Sequence, residues 1–258
     1  MSLELIDTHI HLSAPEFDPD LDLVIKRATQ QQVSTLISIG SGYGQIGIEK
    51  TIRIASDYPN VFMALGIHPN EAHNQYSISE LKPLLSHPKC LAVGETGLDY
   101  FRDHCPPEIQ MERFLEQISI AKEVQKPIII HNRNAAKDCL ATLKQNSSGL
   151  AGGVFHCYSE DAEYALELSK LNFLISLTGN LTYKNNSALR EAVKLIPIEQ
   201  IMLETDAPYL SPQSCRGKRN ESALMLETAQ TLAEIKNLSL EAVAEITTAN
   251  AKKLFKIP

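Results

Sequence analysis

Eight short runs rich in Val, Ile and Leu recur along the chain with longer amphipathic stretches between them, and this alternation constrains the fold more than any other feature. The runs are LELIDTHIHL, STLISIG, VFMALGIH, CLAVGETG, PIIIHN, GGVFHCYS, NFLISLTG and QIMLETD. Between them DLVIKRATQQQ, IEKTIRIASDY, EIQMERFLEQISIAKEVQ, AAKDCLATLKQN, DAEYALELSKL and SALREAVKLI repeat apolar residues at three- and four-residue spacing, the period of a helix buried on one face. Strands too apolar to be half-exposed require a parallel sheet covered by helices. Eight such units in 258 residues predict an α/β fold, a single TIM-type (β/α)8 barrel forming one domain over residues 1–258. An open doubly wound sheet would advertise a Gly-rich phosphate loop after its first strand, where this chain has HIHLSAPEFD. Two more helical stretches follow the eighth run, ALMLETAQTLAEIKN and LEAVAEITTANAKKLF, the latter capped by Ser239, so the barrel carries an extra C-terminal helix.

The polar residues that close these runs carry the chemistry. His9 and His11 sit two apart at the end of the first run, which places both imidazoles on one strand face. Glu95 closes the fourth run, His131 the fifth, His156 the sixth and Asp206 the eighth. An isolated histidine after an apolar run is usually a hydrogen-bonded core residue, and a carboxylate there is often a helix cap. In a barrel, however, the C-terminal strand ends surround one mouth, so all six converge. Burying four imidazoles and two carboxylates together without a cation would leave several kcal/mol of desolvation unanswered. Nitrogen and oxygen donors without thiolate suit two divalent metal ions drawn from Mg²⁺, Mn²⁺, Zn²⁺ or Co²⁺. Glu95 is the expected bridge, with His9, His11 and Asp206 on one ion and His131 and His156 on the other. Such a pair activates a water and stabilises charge on the oxygen being attacked, so hydrolysis is the expected reaction, with Asp206 and Glu95 as its catalytic carboxylates and Asp206 taking the proton. Glu204 and Asp7 share a face with the ligands and are expected to orient them from behind. Cys157 is read as packing and Asp99 as the anchor of its own loop.

Composition narrows the setting. The chain holds 24 Lys plus Arg against 31 Asp plus Glu, a net charge of −7, which removes the global basic footprint of a high-affinity nucleic-acid binder and leaves any anionic substrate to local groups. Five cysteines without a CxxC pair argue against a disulfide framework and a thiolate zinc site. No apolar stretch approaches the ~18 residues that would span a bilayer, and Glu4 and Asp7 stand where a signal peptide would carry Lys or Arg, so no membrane association and a cytoplasmic location are expected. No obligate protein partner is expected.

The segments IDTHIHL, ALGIHPNEA, AVGETGLDYFRD, PIIIHNRNA, GGVFHCYS, FLISLTGNLTYK, LETDAPYLSP and RGKRN follow one another in the order found in a known family. Over nearly its full length the chain resembles the TatD-related metal-dependent deoxyribonucleases of the amidohydrolase superfamily. The resemblance implies a TIM-type barrel, a divalent-metal centre at the six positions named, and nuclease activity, commonly 3′ to 5′ on single-stranded DNA with Mg²⁺. The chain departs from the family pattern at NRNA after His131, at CYSE after His156, and at Ser222, where proline is usual.

Around the mouth, Arg102, Arg133, Lys184, Arg216, Lys218 and Arg219 are candidates for phosphate contacts, and His68 for a phosphate or an activated water. Tyr100, Phe101 and Tyr209 offer faces for base stacking in a chain without Trp. Two other readings compete with the nuclease. One is a carbonyl or ester hydrolase with the same metals, acting on a lactone, an amide or a D-aminoacyl-tRNA. The other is an inactive metal-binding structural protein, which the presence of every ligand disfavours.

Overall fold

All eight apolar runs form strands in a computed structural model that describes residues 3–73, 77–102 and 104–257. They are β1 (Leu5–Ile10), β2 (Val33–Ile39), β3 (Val61–Leu65), β4 (Cys90–Asp99), β5 (Ile128–Arg133), β6 (Gly153–Phe155), β7 (Phe173–Leu177) and β8 (Ile201–Leu203). Asp103, which ends the AVGETGLDYFRD segment, lies outside the described residues. Sheet order follows chain order and every adjacent pair is parallel. The last strand returns to the first: Asp206 donates its backbone N–H to the His9 carbonyl at 2.9 Å, and His11 donates its own to the Ala207 carbonyl at 2.8 Å. The Thr8 hydroxyl adds a bond to the Leu203 carbonyl at 3.0 Å. The expected (β/α)8 barrel is therefore the observed architecture.

The outer ring is built from α1 (Leu21–Gln30), α2 (Gly44–Asp57), α3 (Ile78–Leu84), α4 (Pro107–Val124), α5 (Ala136–Asn146), α6 (Ala162–Ser169) and α7 (Ser187–Leu195), followed by α8 (Met225–Lys236) and α9 (Leu240–Phe255). The α9 cap is as expected, with Ser239 Oγ accepting from the Ala242 N–H at 3.1 Å. Helical spacing alone did not reveal α3. It has seven residues, contains Pro83 and buries only Leu81, so it has almost no apolar stripe. A reciprocal cap holds its start instead, Glu80 accepting from the Ser77 N–H at 2.8 Å. Among the described residues no helix is long and apolar enough to cross a membrane.

Strand residues alternate between two apolar clusters. Leu36, Val93, Ile128, Ile130, Phe155 and Leu203 pack outward with the helices. Ile6, Ile37, Ile39, Ala64, Ala92, Ile129, Val154 and Met202 fill the barrel interior, and Phe255 and Ile257 seal its floor. Two register shifts break this alternation. On β1, Asp7 pairs with Leu36 and Ile10 with Ser38, so three residues advance against two. On β4, Val93 pairs with Ile128 and Thr96 with Ile130, again three against two. Each bulge reverses the facing of the residues beyond it.

Beyond the β4 bulge, Gly97 pairs with His131 at φ 135°. A Cβ on Gly97 would overlap the His131 carbonyl oxygen, a backbone atom that cannot rotate away. Gly97→Ala is therefore expected to cost about 3 kcal/mol or more of stability, measured by urea denaturation. An unchanged midpoint would mean that β4 and β5 separate freely at this point.

Candidate metal centre

The two bulges decide which polar side chains enter the barrel mouth. Without them His9 would follow Asp7, and Glu95 would follow Val93, onto the helix-covered face. With them, both turn inward and meet His131 and His156, whose strands keep simple alternation after Ile129 and Val154. Asp206 arrives through the seam between β8 and β1, at φ 54°. All six sequence-predicted ligands thus reach one place.

Glu95 lies at the middle, almost fully buried, and its two oxygens face different sets of imidazoles. Oε1 is 2.7 Å from His131 Nδ1, 2.7 Å from His156 Nε2 and 3.5 Å from His68 Nε2. Oε2 is 3.5 Å from His9 Nε2 and 3.9 Å from His11 Nε2. Asp206 Oδ1 completes the second set, 3.3 Å from His11 Nε2 and 3.7 Å from His9 Nε2. Among the described residues, three overlapping groups have donor atoms close enough to share a cation: His9, His11 and Asp206; His9, Glu95 and His156; His68, Glu95 and His131. His68, expected only at the rim for a phosphate or an activated water, thereby joins the cluster itself.

The donor chemistry fits divalent cations. His9 Nε2 and His11 Nε2 are 3.4 Å apart, and both rings have a buried Nδ1 with no hydrogen-bond partner among the described residues. No hydrogen-bond network therefore accounts for their burial; what they face inside the cluster is each other and the two carboxylates.

Burial works against charge on each of these groups, and neighbours decide the outcome. Burial would raise the Glu95 carboxyl, but His156, His68 and His131 hold it well below the usual range. Burial is likewise outweighed at Asp206, which His11, His9 and His156 keep low. Burial pulls the His156 imidazole down, yet Glu95 and Glu204 lift it well above its ordinary value. His131 is raised against burial by Asp99 and Glu95. His9, by burial and the nearby His156, and His68, by burial, are lowered and favour the neutral ring.

The residues behind the cluster are partly as expected. Glu204 shares the inward face and stands 3.5 Å from His156 Nδ1 while accepting the Cys157 N–H at 2.7 Å and the Ser176 hydroxyl. Asp7 does not touch an imidazole. Alternation after Ile6 points it outward, and the β1 bulge that follows turns only His9 and the residues beyond it inward; there Asp7 Oδ1 accepts the backbone N–H of Thr205 at 3.0 Å and Oδ2 the hydroxyls of Thr205 and Ser222, each at 2.6 Å. Ser222, where the family pattern has proline, is thus a fastener of the β1–β8 seam. Asp99 anchors its loop by accepting from Phe101 and Arg102 N–H, and it also lies 3.2 Å from His131 Nε2, a contact that strand alternation did not foretell. Cys157 is not simple packing: at φ 48° it has left the strand, and it lines the cleft.

The cleft over the cluster has a volume of about 880 Å³, near the top of the ~300–1,000 Å³ of small-molecule sites. Arg102 and Arg133 line it, the Arg133 guanidinium lying 4.1 Å over the exposed Phe101 ring. Tyr209 lines it too, while the Tyr100 hydroxyl is spent on Asp138 at 2.9 Å. Arg216, Lys218 and Arg219, expected to overhang the cluster, do not line the cleft. Arg219 is drawn to Asp20 and the Glu16 carbonyl, and Arg216 lies 4.4 Å over Tyr183. Lys184 is likewise outside it. Tyr43, Asn70 and His104 reach the cleft without any signal in their spacing.

Residues 6–256 match the family model described as "TatD related DNase". The chain is 41% identical over 255 residues to an uncharacterized metal-dependent hydrolase of Bacillus subtilis, YabD, covering 98% of this chain and 99% of that protein. It is 31% identical to a protein of Edwardsiella piscicida named 3′-5′ ssDNA/RNA exonuclease TatD, covering 98% and 100%. Among solved structures, the TatD homologue YjjV of Escherichia coli superposes with a TM-score of 0.92 at 28% identity, covering 98% of each chain.

Because His131 and His156 hold protons to higher pH than ordinary imidazoles, a cation entering the cluster competes with those protons. Binding is expected to release about one to two protons near neutrality and to weaken as pH falls. Calorimetry in buffers of different ionisation enthalpy counts them, and binding without proton release would remove both histidines from the ligand set.

Proposed function

The chain belongs to the TatD family of metal-dependent hydrolases, and on that footing we propose that it cleaves phosphodiester bonds of single-stranded DNA from a strand end, at a centre of two divalent cations. The placement of the two Glu95 oxygens carries this reading: each faces its own set of imidazoles, as a bridging carboxylate must. His9, His11 and Asp206 would hold one cation, His131 and His156 the other. Cations so held supply Lewis acidity, lowering the pKa of a water and offsetting charge that builds on a phosphoryl oxygen.

The protein's own groups do the rest. Asp206 stays ionised and is the proton acceptor for the attacking water. His68 accepts the Asn70 N–H at Nδ1, 3.0 Å away, so its neutral ring carries the proton on Nε2, facing the cluster. That N–H is a donor for a phosphoryl oxygen or the departing alkoxide. Asp99 fixes the His131 ring through Nε2. Arg102 and Arg133 supply the positive charge that a phosphate chain needs in a protein of net charge −7. The exposed Phe101 ring, which carries the Arg133 guanidinium on one face, offers a stacking platform suited to an unpaired base, which favours a single strand over a duplex.

Oligonucleotides labelled at the 3′ or the 5′ end, incubated with a panel of divalent ions and with chelator, test the reading. Shortening from one end that chelator abolishes is expected. Hydrolysis of a carboxylic ester or lactone with intact oligonucleotide would overturn it in favour of a carbonyl hydrolase.

Two substitutions assign the roles. Glu95→Ala should lose bound metal and nearly all turnover. Asp206→Asn, which retains shape but cannot accept the proton, should lower turnover by about 100-fold while substrate binding persists. Metal analysis of the folded Glu95→Ala protein that still finds two ions would defeat the bridging role.

A further inference from the structure

Tyr43 and Tyr209 span one end of the cleft in an arrangement that the chemistry above does not use. Tyr43 follows β2 and Tyr209 follows β8, so the two flank β1, and their hydroxyls are 2.7 Å apart. Both rings meet His11 edge-on, with centroids 6.2 and 6.0 Å from it, and both line the cleft. Each loop is braced. Glu71 straddles the Tyr43 turn, accepting the Gly42 N–H at 2.9 Å and the Gly44 N–H at 2.7 Å. The buried Asn220 donates its side-chain amide to the Tyr209 carbonyl at 2.7 Å and to the Thr205 carbonyl at 3.0 Å. One hydroxyl contact in water stabilises a fold by only about 1 kcal/mol, so such bracing is out of proportion to a purely structural bond.

The charges around the cleft are asymmetric about this bridge. Arg102 after β4 and Arg133 at the end of β5 occupy the arc opposite β1. On the tyrosine side the nearest basic loop is turned away, Arg219 to Asp20 and Arg216 to Tyr183. A polyanion entering the cleft therefore finds positive side chains at one end and two aromatic rings at the other.

We infer that the Tyr43–Tyr209 bridge is a terminus stop: the strand enters past Arg102 and Arg133, its last nucleotide abuts the two rings, and only a bond near a free end reaches Glu95 and Asp206. The inference rests on the nuclease reading and assigns end-selectivity to two residues outside the proposed metal ligands. Within the pair one hydroxyl donates to the other, which leaves a single phenolic O–H to meet an acceptor on the terminal nucleotide.

Linear and covalently closed circular single-stranded DNA of the same sequence, with Mg²⁺ or Mn²⁺, provide the test. The wild-type protein should degrade the linear strand and spare the circle. Y43A/Y209A should open circles, raising the circle-to-linear rate ratio by about tenfold or more, whereas Y43F/Y209F, which keeps both rings, should still spare them. If the double alanine variant does not fold, Y209A alone serves, since that residue is 47% exposed. The stop is refuted by a wild-type protein that cuts circles as fast as linear strands, or by a folded alanine variant that spares circles while degrading linear DNA at the wild-type rate. A folded alanine variant that loses linear degradation without gaining any cleavage of the circle would also refute it, because the tyrosines would then be supporting the centre. A wild-type protein that leaves both DNAs intact but hydrolyses a carboxylic ester marks the failure of the nuclease reading itself, and the stop falls with it.

Discussion

Two backbone hydrogen bonds hold the arrangement together: Asp206 N–H to the His9 carbonyl and His11 N–H to the Ala207 carbonyl. They close the barrel, and in the same stroke they set Asp206 beside His9 and His11. The closure and the centre are one interaction seen at backbone and at side-chain level. Asp7 secures the seam from outside by gathering Thr205 and Ser222, which ties the strand end to the loop that follows it. Because Asp7 is fully buried, losing one of its donors would leave an underpaired carboxylate away from water, a cost of several kcal/mol.

Much of this was legible in the chain. Parallel strands buried on both faces must be apolar throughout, and so they stand out as runs; the helices between them stand out by their stripe. The helix α3 was invisible because Leu81 is its one buried side chain and Pro83 interrupts it. The six candidate ligands stood out by their position at the ends of runs, which survives any local irregularity. Their facing was another matter. Strict alternation groups Asp7 with His9, and the bulge on β1 separates them; the same device on β4 brings Glu95 inward. A bulge is one extra residue whose only signature is the pairing of a neighbouring strand, so a single sequence does not display it.

Loop side chains were the least legible, for a related reason. Arg216 and Arg219 follow the eighth strand closely in sequence, but Tyr183, Asp20 and the Glu16 carbonyl, contributed from elsewhere in the chain, hold them away from the cleft. Arg133 reaches it because it is the last residue of β5, where the sheet dictates its direction. Position on a strand transmits geometry; position in a loop transmits only reach.

The seam also bears on when the enzyme comes into being. Its hydrogen bonds join the first strand to residues just past the eighth, far apart in sequence, and α9 adds a bond from Thr248 to the Glu4 carbonyl. Contacts of such high sequence separation form late, after the loops between them have been closed. While the chain emerges from the ribosome N-terminus first, His9, His11 and Glu95 are made long before Asp206, and no partial barrel holds the full set. The candidate set of side chains is thus brought together only after most of the chain has been made.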